Sequence, residues 1–347
     1  MAPPAGRLAA AALAGLVACV TLGAQQAERA RDFRYKSGVD LVNVTATVTD
    51  ADGHVVPNLT RDDFIVHEDG ERQDIAYFER ERVAVSLGIV LDTSASMAGD
   101  KIEVAQQAIR RFMVDLLHPD DELFLIRFSD EVDVVHRWTR DRERIAGSIR
   151  RITPYGATAL YDAVAEAVVI ANEGTHPKKA LVVISDGNDT GSTVTPRAVR
   201  GLIRQSDVLV YAIGIDSRND RSFNRQPVIP PQFPPPTYPG PIPRQPTVPR
   251  RPPVPTSPTP WTRSSDPVDA DTLRALTDDS GGRTEILTSV RGLGAATAGI
   301  ADELGQQYFL GYASTRPRDG RWHEIEVTIR GDRGHVVRAR RGYQAAP

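Results

Sequence analysis

Asp92, Ser94 and Ser96 stand two residues apart in the stretch IVLDTSASM, where an apolar run ends abruptly in a carboxylate followed by hydroxyls. In an extended turn such spacing aims the three side chains the same way. Two later loops carry similar groups: YGATALYDAV presents Thr158 just ahead of a helical pattern, and VVISDGND presents Asp186 right after an apolar strand. Together they offer two carboxylates and three hydroxyls and no soft ligand, the donor set of a hard cation. Two carboxylates do not surround an ion. Magnesium, which keeps waters readily, suits such an incomplete shell, and a carboxylate from another molecule can replace one of those waters. Mn²⁺ and Ca²⁺ use the same donors.

Each loop also has a plainer explanation. Asp92 or Ser94 would serve as cap for a helix beginning near Asp100, and Thr158 for one beginning at Ala159. Asp186 with Gly187 reads as an ordinary turn. Asp130, Asp162 and Asp189 lie near the same loops and read as loop or first-turn acids, with Asp162 placed to support the site from behind.

The elements that must hold these loops alternate. VAVSLGIVLD, ELFLIRFS, ALVVISDG and VLVYAIGI are strands, most of them continuously apolar, as expected where both sheet faces are covered. KIEVAQQAIRRFMVDLL, ALYDAVAEAVVIANE, TPRAVRGLIRQS and LGAATAGIADELGQQ are amphipathic helices between or after them. Strands alternating with such helices predict a doubly wound, mostly parallel α/β sheet, whose ligands bind beyond the carboxyl ends of the strands. All three loops fall at that end.

The flanks are β. VDLVNVTATVT alternates strictly, DDFIVHEDGERQDIAYFER reads as short strands about an Asp-Gly turn, and WHEIEVTIR alternates before a GDRG turn from which HVVRARRGY pairs back. Arg338, Arg340 and Arg341 read as a solvated face, and the RGD at Arg330–Asp332 as part of the turn. Each β segment is too small to stand alone. The expected organisation is therefore residues 33–80 and 306–347 forming one small β-sandwich, with the α/β domain, 83–305, inserted between them. A proline-rich run, 222–262, interrupts that domain and reads as a surface excursion.

The first 24 residues read as an export signal, with Arg7 ahead of an apolar stretch from Leu8 to Leu22 that is short for a membrane span. The single cysteine, Cys19, lies inside it, where LVAC resembles a lipobox. Cleavage near Ala24 and lipidation at Cys19 both place the protein outside the cytoplasm: periplasmic, cell-surface or secreted. A net charge of −3 gives no reason to expect nucleic acid, and membrane contact is expected only through Cys19.

The DxSxS strand end, the Thr ahead of a later helix and the Asp after a later strand resemble the metal-ion-dependent adhesion site of von Willebrand factor type A domains. The resemblance implies Asp92, Ser94, Ser96, Thr158 and Asp186 as the metal set, and covers roughly Val83 to Gly305 less the proline-rich run. The whole layout also resembles exported von Willebrand-type proteins of acidobacteria and similar soil bacteria. What this implies is a binding module that captures a protein partner's carboxylate on Mg²⁺. The alternatives are an envelope scaffold whose metal only ties loops together and a metal-assisted hydrolase. For the last, no His or Lys in these loops offers a general base and no GxSxG is present.

Overall fold

The computed structural model describes residues 41–150, 152–216, 268–331 and 334–345. The export segment with Cys19, the start of the first β segment, the proline-rich run and Asp332 lie outside the described residues. Two compact units are present: one from the chain up to Val83 and from Gln306 onward, the other Ala84–Gly305.

The first unit opens with β1 (Leu41–Thr49), β2 (Phe64–Glu68), β3 (Glu71–Gln73) and β4 (Ile75–Glu79). The second contains β5 (Val85–Asp92), α1 (Asp100–Arg111), β6 (Glu122–Phe128), β7 (Val132–Thr139), α2 (Arg142–Ile149), α3 (Leu160–Asn172), β8 (Lys178–Ser185), α4 (Pro196–Gln205), β9 (Val208–Ile215), α5 (Ala270–Thr277), β10 (Thr284–Leu287) and α6 (Leu293–Gln306). The chain then returns to the first unit with β11 (Tyr308–Ala313), β12 (Trp322–Ile329), β13 (Val336–Arg338) and β14 (Gly342–Gln344).

The second unit is the doubly wound sheet the alternating pattern predicts, in the order β10-β9-β8-β5-β6-β7, parallel except for the edge strand β7. Every residue of β5 and β9 is buried, which is why these strands read as unbroken apolar runs. Alternation splits them between two layers. Leu87, Ile89 and Leu91 pack with Ile102 and Ile109 of α1 and Ile300 of α6. Val90 and Val183 pack on the other face with Leu160 and Val164 of α3, Ile203 of α4 and Leu273 of α5. From β5 the chain moves outward to β6 and β7, then crosses back to β8 on the opposite side of β5. The order thus reverses between β5 and β8, and their carboxyl ends diverge into a crevice suited to a ligand.

The opposite end of these strands is fastened by a buried carboxylate. Glu122 accepts from Ser86 Oγ at 2.6 Å, from the Thr175 amide at 2.6 Å and from Thr175 Oγ1 at 2.9 Å. Burial alone would raise its pKa, but these hydrogen bonds outweigh burial and hold it below the ordinary 4.5. A depressed carboxylate stabilises the fold above its unfolded pKa, and that contribution is lost as pH falls through the folded value. Glu122→Gln should therefore cost about 1–2 kcal/mol at pH 7, and the gap to the parent should narrow in the acid limb below the ordinary value. Urea unfolding from pH 3 to pH 7 measures it, and a gap constant across that range would refute the assignment.

In the first unit two antiparallel sheets, β13-β1-β11-β4 and β14-β12-β2-β3, share one core of Val44, Ala46, Val48, Phe64, Val66, Tyr308, Leu310, Ile325 and Val327. The Tyr308 hydroxyl donates to Val56 O at 2.8 Å and accepts from the Leu59 amide at 3.0 Å, so its polar end is satisfied inside that core. The tail departs from the simple hairpin expected for it. Val336–Arg338 joins β1 in the other sheet, and only Gly342–Gln344 returns to β12. A strand that switches sheets closes the corner of a sandwich. Arg340, at that switch, is only 7% exposed rather than solvated. Its Nε donates to Gly342 O at 2.9 Å and its guanidinium lies 5.9 Å from the Tyr343 ring centre.

Candidate metal centre

β5 and β8 are register neighbours, Leu91 opposite Ile184, so their next residues, Asp92 and Ser185, emerge side by side. Ser185 Oγ donates to Asp92 Oδ2 at 2.6 Å, and the Ser94 amide donates to Asp92 Oδ1 at 2.8 Å. Each carboxylate oxygen keeps a further lone pair. Ser94 Oγ and Ser96 Oγ lie 2.9 Å apart, so the hydroxyls of the first loop share one side, as their spacing predicts.

The loop before α3 is sewn to the first. The Tyr155 amide donates to Thr93 O at 2.9 Å, and the Ala95 amide to Gly156 O at 3.2 Å. Thr158 joins it to the third: its carbonyl accepts from the Thr190 and Gly191 amides at 2.9 and 3.0 Å, and its own amide donates to Thr190 Oγ1 at 3.0 Å. Asp162 accepts from the Thr193 amide at 3.0 Å and the Val194 amide at 2.7 Å. It holds the loop that follows Asp186.

The capping explanations do not describe this geometry. The residue preceding α1 is Gly99, and neither Asp92 nor Ser94 reaches that helix start; Ala159, not Thr158, precedes α3. The Leu160 amide of α3 is instead met by Asp189 Oδ1 at 2.9 Å. Asp186 does stand at a turn, with Gly187 at φ 79°.

Asp92, Ser94, Thr158 and Asp186 are all buried, and Ser96 is partly so. Burial first, and then repulsion from Asp186, push the Asp92 carboxyl up to about 6. Two acids forced together out of water are what a divalent cation would relieve, and the oxygen-only donors fit Mg²⁺ or a similar hard ion. One cation is already at hand: Lys101, on the first turn of α1, places Nζ 3.8 Å from Asp186 Oδ2. The sequence reading placed no lysine at these loops. Its signal was a lysine at a helix start, the end whose dipole disfavours a positive charge.

Among the described residues a second grouping of carboxylates and histidine is Asp50, Asp52 and His54. It is a surface turn: Asp50 Oδ1 accepts from the Asp52 and His54 amides at 3.0 and 2.8 Å, and the His54 side chain is 82% exposed. No described helix is long and apolar enough to cross a membrane.

A profile of the von Willebrand factor type A domain matches residues 87–188. Among curated proteins, inter alpha-trypsin inhibitor heavy chain 4 of Mus musculus is 25% identical over 171 residues, 42% of this chain and 18% of that one. Inter-alpha-trypsin inhibitor heavy chain H2 of the same species is 25% identical over 152 residues, 39% of this chain and 16% of its own. The chain therefore spans less than a fifth of the length of these relatives. Among solved structures, a von Willebrand factor type A protein from Catenulispora acidiphila aligns with a TM-score of 0.47 and 12% identity, over 90% of this chain and 75% of that one. The profile falls on the strands and loops that carry Asp92, Thr158 and Asp186, so this segment is similar to a von Willebrand factor type A domain, a kind of domain that typically mediates protein–protein interaction and often binds a divalent metal.

Proposed function

We propose that this chain is an exported binding module that holds Mg²⁺, or a similar hard cation, at Asp92, Ser94, Ser96, Thr158 and Asp186 and captures a carboxylate of a protein partner there. The observation that carries the reading is the buried Asp92–Asp186 pair at the crevice between β5 and β8. Asp92 and Asp186 would supply charge, directly or through water, and the hydroxyls would complete the shell while leaving the ion electrophilic. A bound cation supplies an attachment point for an anion. Tyr155, 59% exposed on the loop that also carries Thr158, offers the partner an aromatic surface on the same rim. Export rests on the N-terminal signal, residues 1–24.

Two observations weigh against the alternatives. The three loops are already joined by backbone hydrogen bonds, so a metal is not needed merely to tie them. No histidine lies in them, and the ammonium of Lys101 is paired with Asp186 rather than aimed outward as a base.

Immobilised residues 27–347 should retain a Glu-bearing peptide library in Mg²⁺ and release it in EDTA, with amidated peptides not retained. Carboxylate-dependent capture that persists in EDTA would sink the proposal.

A further inference from the structure

Lys101 is 6% exposed, and its Nζ stands 3.8 Å from Asp186 Oδ2 with both side chains buried. Two physical costs oppose it there. A buried ammonium is expensive unless paired, and a cation in the first turn of a helix faces the positive end of the helix dipole. Asp100 and Glu103, in the same first turn, already supply the acidic charge that end prefers. Among the described residues, the ion-pair partner of the lysine is the carboxylate of Asp186. At 3.8 Å the contact is an ion pair longer than a hydrogen bond, so Asp186 Oδ2 keeps room for another ligand, while Oδ1 accepts from the Asn188 amide at 3.4 Å.

We propose that Lys101 is a tethered counter-charge that sets the charge of the metal centre, leaving a bound divalent ion with an excess positive charge that an incoming carboxylate must neutralise. Two carboxylates offset by the charge of Lys101, 3.8 Å from one of them, would present one net negative charge to the ion. A divalent cation then leaves one positive charge, which the carboxylate of a partner cancels. Without the lysine the two acids alone would neutralise the ion, and an anionic ligand would gain less. Lys101 is thus a specificity residue that trades metal affinity for ligand capture, and the inference rests on the metal site proposed above.

The test is calorimetric titration of Mn²⁺ into residues 27–347, with and without 50 mM acetate, for the parent, Lys101→Met, Lys101→Gln and Lys101→Arg. Both neutral variants should bind Mn²⁺ alone about tenfold more tightly, because a like charge has been removed from its neighbourhood. Acetate should raise Mn²⁺ affinity in the parent and in Lys101→Arg and do so less in the neutral variants, as reciprocal linkage requires. Melting supplies an independent readout: the neutral variants should be less stable than the parent in EDTA and should recover in saturating Mn²⁺. Equal or weaker Mn²⁺ binding by the neutral variants, or a loss of stability independent of metal, overturns the proposal and makes Lys101 a structural or orienting residue. Failure of both neutral variants to fold even with Mn²⁺ has the same meaning. A parent that binds no Mn²⁺ overturns the metal reading itself.

Discussion

Asp92→Asn should weaken Mg²⁺ binding at least a hundredfold and yet leave the protein in EDTA as stable as the parent or more so. The two effects have one origin. Asp92 is fully buried, and its neighbour in charge is another buried acid. Its carboxyl, pushed from 3.8 up to about 6, records a folded state that disfavours the ionised form, on the order of 3 kcal/mol at neutral pH. Asparagine removes that charge and keeps the shape. Its carbonyl accepts from the Ser94 amide as Asp92 Oδ1 does, and its amide donates to Ser185 Oγ, reversing the present 2.6 Å hydrogen bond. Fold stability without metal then rises or holds. With metal, the parent gains what asparagine has lost: an ion present at a hundred times its dissociation constant stabilises a native state by about 2.7 kcal/mol. Thermal melting in EDTA and in Mg²⁺, beside calorimetric titration, reads both halves. A variant that melts well below the parent in EDTA would mean that Asp92 is a structural acid. A variant that still binds Mg²⁺ would remove it from the site.

Much of this arrangement was legible because it follows from short-range pattern. The unbroken apolar run of β5 states that both sheet faces are covered, and its abrupt end at Asp92 states that the chain there meets something other than hydrocarbon. What the pattern does not carry is partner choice between distant segments. β13, Val336–Arg338, is too short to carry an alternation that names its partner; whether it pairs with β12 or crosses to β1 is decided by sandwich closure, and Arg340 is buried beside that crossing. Ser185 has the pattern of a strand end, and only the β5–β8 register turns it into the donor that holds Asp92. Lys101 was hidden differently. It sits among polar residues before the apolar spacing of α1 begins at Ile102, and its aim depends on where the helix starts, at Asp100 after Gly99. The cap reading of Thr158 placed the helix start one residue early, and the amide of Leu160 is met by Asp189, from a loop remote in sequence. Capping motifs read along the chain cannot find a cap supplied across it.

Gly187→Ala should cost about 3 kcal/mol of stability and lower metal affinity at least tenfold, although residue 187 contributes no ligand. Gly187 has φ 79°, where an L-residue is strained by roughly 1–2 kcal/mol. That strain alone is what Gly70→Ala should show, because Gly70, in the β2–β3 turn, has φ 80° and nothing within 4 Å of an added Cβ. At Gly187 the added carbon would also stand 2.7 Å from Asp269 O and 3.0 Å from Leu273 Cγ. The first neighbour is backbone and has no rotamer in which to retreat. It is also pinned: the Asp269 amide donates to Asp186 O at 3.0 Å, and the Asp269 side chain meets the Thr272 amide at 2.9 Å as the cap of α5. The collision must therefore be relieved by turning the peptide that joins Asp186 to Gly187. That motion breaks the 3.0 Å hydrogen bond from the Gly187 amide to Ser185 Oγ, the hydroxyl that holds Asp92, and swings the Asp186 carboxylate from its place beside Lys101. Both acids lose their setting through one methyl group. Urea unfolding and Mn²⁺ titration of the two glycine variants separate the contributions. Gly70→Ala should lose about 1 kcal/mol and bind metal as the parent does. If Gly187→Ala loses no more than Gly70→Ala and keeps its metal affinity, the third loop is not braced against α5 as the geometry requires.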